Sequence, residues 1–382
     1  MVYSLPYITV TIVLGLLAYM LYSSRDENVR RYIVYGAISL FLLFFGFRGF
    51  ILTDWIIYQP YFTDLEWYKV LYYFDDKKTG YEPGFAILCM LCKTVFPDYF
   101  FMQFVVTLIH TYALYRFFRR YSGNIPLGLM LYVVFEGVFI ATNLVRNSIA
   151  ISLFLLALPY LEERKPIQYF GLCLLATTFH LSALVYFPLY FFLHIRLNKW
   201  VYLSIFIAAN VIFISKISII VSLLNMLGLD ETLTEKVKTY TEVYTSSKKV
   251  LSIGYLERLM TGTLIFLYYD KLKSVHPQSG IFVNAVLIFL CVFFLFSEFD
   301  VLAERVYTLF AFGYWIIWAY FIRCFHYVNN KKLFAAFILL YSILRLAGYC
   351  KSPAFDYENI LTGHQSYNER LYFTNKYYRN KE

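Results

Sequence analysis

An all-α polytopic membrane fold is what the sequence predicts, and three observations predict it. Apolar residues make up 60% of the chain and charged ones only 15%, so little polar surface is left for a water-soluble domain. Apolar runs close to membrane-span length recur from end to end. The short breaks between them are rich in Lys and Arg: "SSRDENVRR", "YRFFRRYSGN", "LEERKP", "HIRLNKW", "DKLKSVHPQ" and "RCFHYVNNKK". Basic loops of this kind face the cytoplasm, so these breaks imply about twelve spans, in a range of about 10 to 13, with both termini outside. The chain reads as a single integral membrane domain, residues 1–382, crossing the membrane many times.

The first run, "LPYITVTIVLGLLAYMLY", has no basic stretch ahead of it and no small-residue cleavage site behind it, so it reads as a retained span and not a signal peptide. Spans 5–22 and 32–47 come next to each other, followed by a large outer loop, 48–98. Counting "EPGFAILCMLCKTVF" as a crossing would put the "RFFRRYSGN" loop outside and spoil every later assignment. It is also shorter than the roughly 20 residues a crossing needs, so 82–96 is read as a re-entrant or interfacial helix on the outer side. Spans 99–118, 126–142, 147–162 and 166–180 follow. The stretch 166–195 has basic flanks at both ends and must turn near "FHLSA", which creates span 182–195. Span 200–215, an outer loop at 216–253, spans 254–270, 281–297, 303–322 and 332–348, and an outer tail at 349–382 complete the chain.

The net charge of +9 does not point to nucleic acid, because the basic residues lie in small groups between apolar runs and form no stripe or arm. The six cysteines sit singly or as "CMLC" without the paired Cys/His spacing of a metal site, so they read as packing residues. No repeat, metal or cofactor signature is visible. The lipid bilayer is the first partner the chain requires.

The outer span ends collect the polar residues that a bilayer rejects. These are Arg48 and Asp54, Glu82, then Asn143, Arg146 and Asn147 in "TNLVRNSIA", and His180 in "FHLSA". Glu257 with Arg258, the group Glu298, Asp300, Glu304 and Arg305, and Arg345 extend the set. Each has a bland reading: Arg48 can snorkel, Glu257/Arg258 and Glu304/Arg305 can be structural pairs, and His180 can cap a turn. Arg146 differs, because it has no acid near it in sequence and needs an external or distant anion. The rings of "DWIIYQPYF", Trp55 and Tyr58 among them, fit an interfacial belt or platforms for sugar rings.

Arginines with few carboxylates at the outer leaflet suit a lipid-linked diphosphate, since guanidinium forks bind phosphate oxygens in pairs and stay charged. If a sugar leaves that diphosphate, the attacking hydroxyl needs a general base, for which Asp54 and Glu82 are the candidates. Arg48, Arg258 and Arg305, with Asn143 and Asn147, are candidates for substrate binding. His180 would be the base if the chemistry were acyl transfer.

At these residues the chain resembles the EpsG family of bacterial exopolysaccharide proteins, Wzy-type polymerases related to O-antigen polymerases. The resemblance rests on "RGFILTDWIIYQPYF", "YEPGFAILCMLCKTVF", "LVRNSIAISLFLLAL" and "LLATTFHLSALVYFPLYF", in that order. It implies a GT-C-like polysaccharide polymerase that moves a growing glycan from undecaprenyl diphosphate onto a lipid-linked repeat unit at the outer, or periplasmic, leaflet. It also implies site positions at Arg48, Asp54, Tyr58, Glu82, Arg146 and His180, no cofactor, and a chain-length regulator as a further candidate partner. The family reads "RQ" where this chain has Arg146 and Asn147. A transporter or flippase of lipid-linked glycan, and another membrane glycosyl- or acyltransferase such as an O-antigen ligase, remain as alternatives.

Overall fold

Side-chain caps set the starts of several helices, as Asp26 does by accepting from the Asn28 and Val29 amides. The computed structural model describes residues 2–72, 81–217, 252–296 and 300–379, and among these every regular element is a helix. Helices α1 (Leu5–Ser23), α2 (Glu27–Gly46), α3 (Trp55–Asp64), α4 (Trp67–Tyr72), α5 (Pro83–Val95) and α6 (Tyr99–Tyr121) come first. They are followed by α7 (Ile125–Tyr132), α8 (Val138–Asn143), α9 (Val145–Glu162), α10 (Pro166–Thr177) and α11 (Tyr186–Phe192). Next are α12 (Lys199–Ile214), α13 (Ile253–Leu267), α14 (Tyr269–Val275), α15 (Ser279–Leu295), α16 (Asp300–Tyr307) and α17 (Phe312–Cys324). The last two are α18 (Val328–Tyr349) and α19 (Tyr367–Arg379).

Each of the twelve predicted spans falls on one of these helices or on a broken pair of them. Among the described residues, five helical stretches are long and apolar enough to cross a bilayer: Val2–Ser23, Glu27–Gly46, Ile125–Asn143, Val145–Glu162 and Val328–Tyr349. A sixth is gained if Ala303–Phe310 and Phe312–Cys324, bent by 49°, count as one. The protein is thus an all-helical polytopic membrane protein. Glu298 and nearly all of the loop at 216–253 lie outside the described residues.

The helices group into two compact units, Met1–Tyr190 with Tyr327–Glu382, and Phe191–His326. In the first unit, one end of the bundle gathers the basic breaks. Arg120 pairs with Glu162 at 2.9 Å, Asn124 reaches the Ala18 carbonyl at 3.1 Å, and Arg30 donates to the Leu21 carbonyl at 2.7 Å. The opposite end gathers the segments predicted to be outside. There the tail is stitched to the end of α2: Gly49 N–H donates to Glu358 O and Leu52 N–H to Ala354 O, both at 2.8 Å, and Tyr7 Oη donates to Phe355 O at 3.0 Å.

Helix α5 has both of its ends at this second end. Gly84 N–H donates to Thr178 O at 2.8 Å, just past α10. Toward the other end of α5, Lys93 donates to the carbonyls of Thr63 and Leu65 at 2.6 and 2.7 Å, where α3 stops. Thirteen residues span only about 20 Å, less than the roughly 30 Å hydrocarbon core. The docking of α5 depends on Gly84: a Cβ there would lie 2.3 Å from Thr178 Oγ1 and 2.8 Å from its carbonyl oxygen.

The span 126–142 is broken. Between α7 and α8, Val133–Gly137 forms a π turn in which Glu136 has φ +66°. Arg345 of α18 repairs the break, donating to Val134 O at 2.8 Å and to Glu136 Oε1 at 2.7 Å. A backbone group freed inside an apolar bundle needs such a partner.

The second unit packs α15 against α12 and α17. Phe213 and Phe294 meet at 5.4 Å and Phe282 meets Tyr320 at 6.2 Å. Gly313 lets α17 approach the α15 backbone, since a Cβ would come within 2.9 Å of Phe282 O. Asn284 ties α15 to the chain ahead of α12 through the carbonyls of Leu193 and Ile195.

Candidate functional site

The break between α8 and α9 puts Arg146 in the first turn of α9, where the helix cannot hide its charge among its own neighbours. Its anion is Glu82, which lies 64 positions earlier in the sequence and pairs with one guanidinium nitrogen. Arg146 Nε donates to Tyr58 Oη at 2.9 Å. The guanidinium carbon lies 4.7 Å from the Tyr81 ring centre and 5.7 Å from that of Tyr58, so two aromatic faces flank the cation. The pair is not sealed: the Arg146 and Glu82 side chains remain 18% and 20% exposed.

Glu82 precedes α5, held by the docking of Gly84. Its second oxygen accepts from Leu181 N–H at 3.0 Å, which binds the turn after α10 to the arginine site. In that turn His180 Nδ1 accepts from Ser182 N–H at 3.1 Å. Ser182 Oγ donates to Asn147 Oδ1 at 2.9 Å. Asn147 is buried, and its amide nitrogen has no hydrogen-bond partner among the described residues.

Asn143 sets the position of α3. Its Oδ1 accepts from the backbone amides of Thr53 and Asp54, both at 3.0 Å. Asp54 therefore starts α3 one turn ahead of Tyr58. Burial raises the Tyr58 and Tyr81 phenols above their ordinary range and the Asp54 charge raises both further, while Arg146 opposes the shift. Both rings stay neutral, and the Asp54 carboxylate shares their electrostatic neighbourhood.

Of the residues singled out from sequence, Asp54, Tyr58, Glu82, Asn143, Arg146, Asn147 and His180 thus fall in one linked cluster. Arg48 and Trp55 do something else. Arg48 is buried, donating to Phe45 O at the end of α2 and to Thr107 Oγ1 at 3.2 Å, and burial draws it down to about 10, still charged near neutral pH. Trp55 is buried against Phe50 at 4.6 Å and Tyr367 at 5.5 Å, its Nε1 donating to Leu52 O at 2.9 Å.

Arg258 and Arg305 belong to the second unit. Arg258 is buried 3.9 Å from the Phe293 ring centre, donates to Gly254 O at 3.0 Å and lies 3.8 Å from Glu257. Arg305 is exposed on α16. Tyr81, Gly84 and Ser182 were not read from the sequence as site residues. Tyr81 had a signal, its place beside Glu82, whereas the other two become visible only through contacts with distant segments. The described residues hold no cluster of three metal-ligating side chains.

Fold and site together define a polytopic membrane protein with a tyrosine-flanked arginine–glutamate pair at one end of its helix bundle. The chain belongs to the EpsG family, whose family model matches residues 8–361. No curated protein and no solved structure matches it at a significant level. Membership supports a polysaccharide-polymerase-like role at a membrane.

Proposed function

We propose that this protein is a membrane glycosyltransferase that moves a growing glycan from undecaprenyl diphosphate onto a lipid-linked repeat unit at the outer leaflet. The observation that carries this reading is the half-open Arg146–Glu82 pair between Tyr58 and Tyr81. Twelve crossings, α5 lying on the outer side and both termini external are the topology that goes with it.

In the resting protein Glu82 neutralises Arg146. A diphosphate carries more charge and more acceptor oxygens than a carboxylate, so the incoming lipid headgroup competes for the guanidinium. As Arg146 turns to phosphate, Glu82 is released to act as a base. The acceptor hydroxyl then attacks C1 of the donor sugar, the C1–oxygen bond to diphosphate breaks, and undecaprenyl diphosphate departs with its charge held by Arg146. The hydroxyl proton passes to Glu82, with Asp54 as the second carboxylate in reach of the same phenols. The Asn147 amide would supply a further donor to a phosphate or sugar oxygen.

Deleting the gene and analysing the lipid-linked glycans tests the reading. Single repeat units are expected to accumulate on their carrier at the outer leaflet, with no polymer. Units trapped at the inner leaflet would instead identify a flippase.

A further inference from the structure

Beside the arginine site, α3 serves a second hollow. Tyr58 bonds Arg146, whereas Gln59, Phe62 and Thr63, a stripe at helical spacing, line a cavity of about 200 Å³. Its other walls include Tyr99 and Phe100, which supply aromatic surface, and Lys93 and Asp98, which supply charge.

The polar groups keep hydrogen-bonding capacity in reserve. Asp98 uses Oδ1 on the amides of Phe100 and Phe101, at 2.6 and 3.3 Å, and no protein donor reaches Oδ2 among the described residues. Lys93 gives two of its protons to the Thr63 and Leu65 carbonyls and retains a third. The Gln59 amide makes no protein hydrogen bond among the described residues, and the Thr63 hydroxyl bonds only Gln59 O.

This chemistry selects among ligands. Lys93 would welcome an anion, but the Asp98 carboxylate in the same wall repels it. A lipid chain would leave the Gln59 amide and the spare capacity of Asp98 and Lys93 unmet. Anything of drug or coenzyme size needs more than the roughly 300 Å³ at which such pockets begin. What fits is a small neutral ring with one apolar face for the aromatic wall and hydroxyls on its edge for carboxylate, amide and ammonium.

We propose that this cavity is a sugar subsite that holds one monosaccharide ring of the glycan, at a distance from the bond being made. The inference rests on the polymerase reading and adds a grip on the chain, so its loss should shorten the product.

The test uses the whole protein in nanodiscs, titrated calorimetrically with oligosaccharides released by mild acid from the host's own polymer. Thr63→Trp puts an indole in the wall of the cavity, and Gln59→Ala removes one polar contact with little steric change. Both are expected to bind the oligosaccharides roughly tenfold more weakly, the size of one lost hydrogen bond, and to shift the polymer of the host strain to shorter lengths. Wild-type binding and wild-type length in a stably expressed Gln59→Ala protein would overturn the subsite and leave the polymerase reading standing. Failure of the polymerase reading itself shows separately, as lipid-linked units trapped at the inner leaflet of the deletion strain.

Discussion

An Arg146→Lys strain is expected to make no long polymer while keeping single repeat units on their lipid carrier. The guanidinium uses separate nitrogens for Tyr58 and Glu82 and presents its plane to two rings, which an ammonium cannot reproduce from one point. On diphosphate it would lose the paired, charge-assisted contact to two oxygens. Hydrogen bonds to charged groups are worth about 1.5 to 3 kcal/mol each, so losing the fork should slow transfer by roughly 10² to 10⁴. Lipid-linked glycan analysis with protein abundance as a control reads this out. Arg323→Lys, at an exposed position in the other unit, should change nothing. Wild-type polymer from Arg146→Lys would remove this residue from the site.

The second large effect is expected from Glu82→Gln, and it should separate binding from turnover. If Glu82 both competes with diphosphate for Arg146 and accepts the hydroxyl proton, the amide removes the competitor and the base together. Affinity for the lipid diphosphate should then hold or rise, while turnover falls by about 10² to 10⁴. A merely structural ion pair would lower abundance and affinity together. If Asp54→Asn reproduces the turnover loss and Glu82→Gln does not, Asp54 is the base.

Much of the fold was legible because its signals are local. Apolar runs give helices wherever they occur, and basic breaks mark one end of the bundle, as the cluster of Arg30, Arg120 and Asn124 contacts at one end of the first unit illustrates. The break at Glu136 was not legible, for its cause is a partner more than 200 positions away, Arg345, which satisfies the freed carbonyl. The site divides in the same manner. Arg146 stood out because no acid lies near it in sequence, yet that its anion would be Glu82 depends on the docking of Gly84 against Thr178. Trp55 and Arg48 carry the right chemistry for sugar and phosphate, but a ring packed on Phe50 and a guanidinium turned to Phe45 O already have partners. Residue type gave the list of candidates, and long-range packing decided which of them meet.

The most direct test of the central claim is a reconstituted transfer reaction. The purified protein in liposomes, given undecaprenyl-diphosphate-linked repeat units on the face that carries Glu82, should produce a ladder of lipid-linked glycans and release one undecaprenyl diphosphate for each new glycosidic bond. No ladder and no released carrier, with the lipid-linked unit instead appearing on the opposite leaflet, would contradict it.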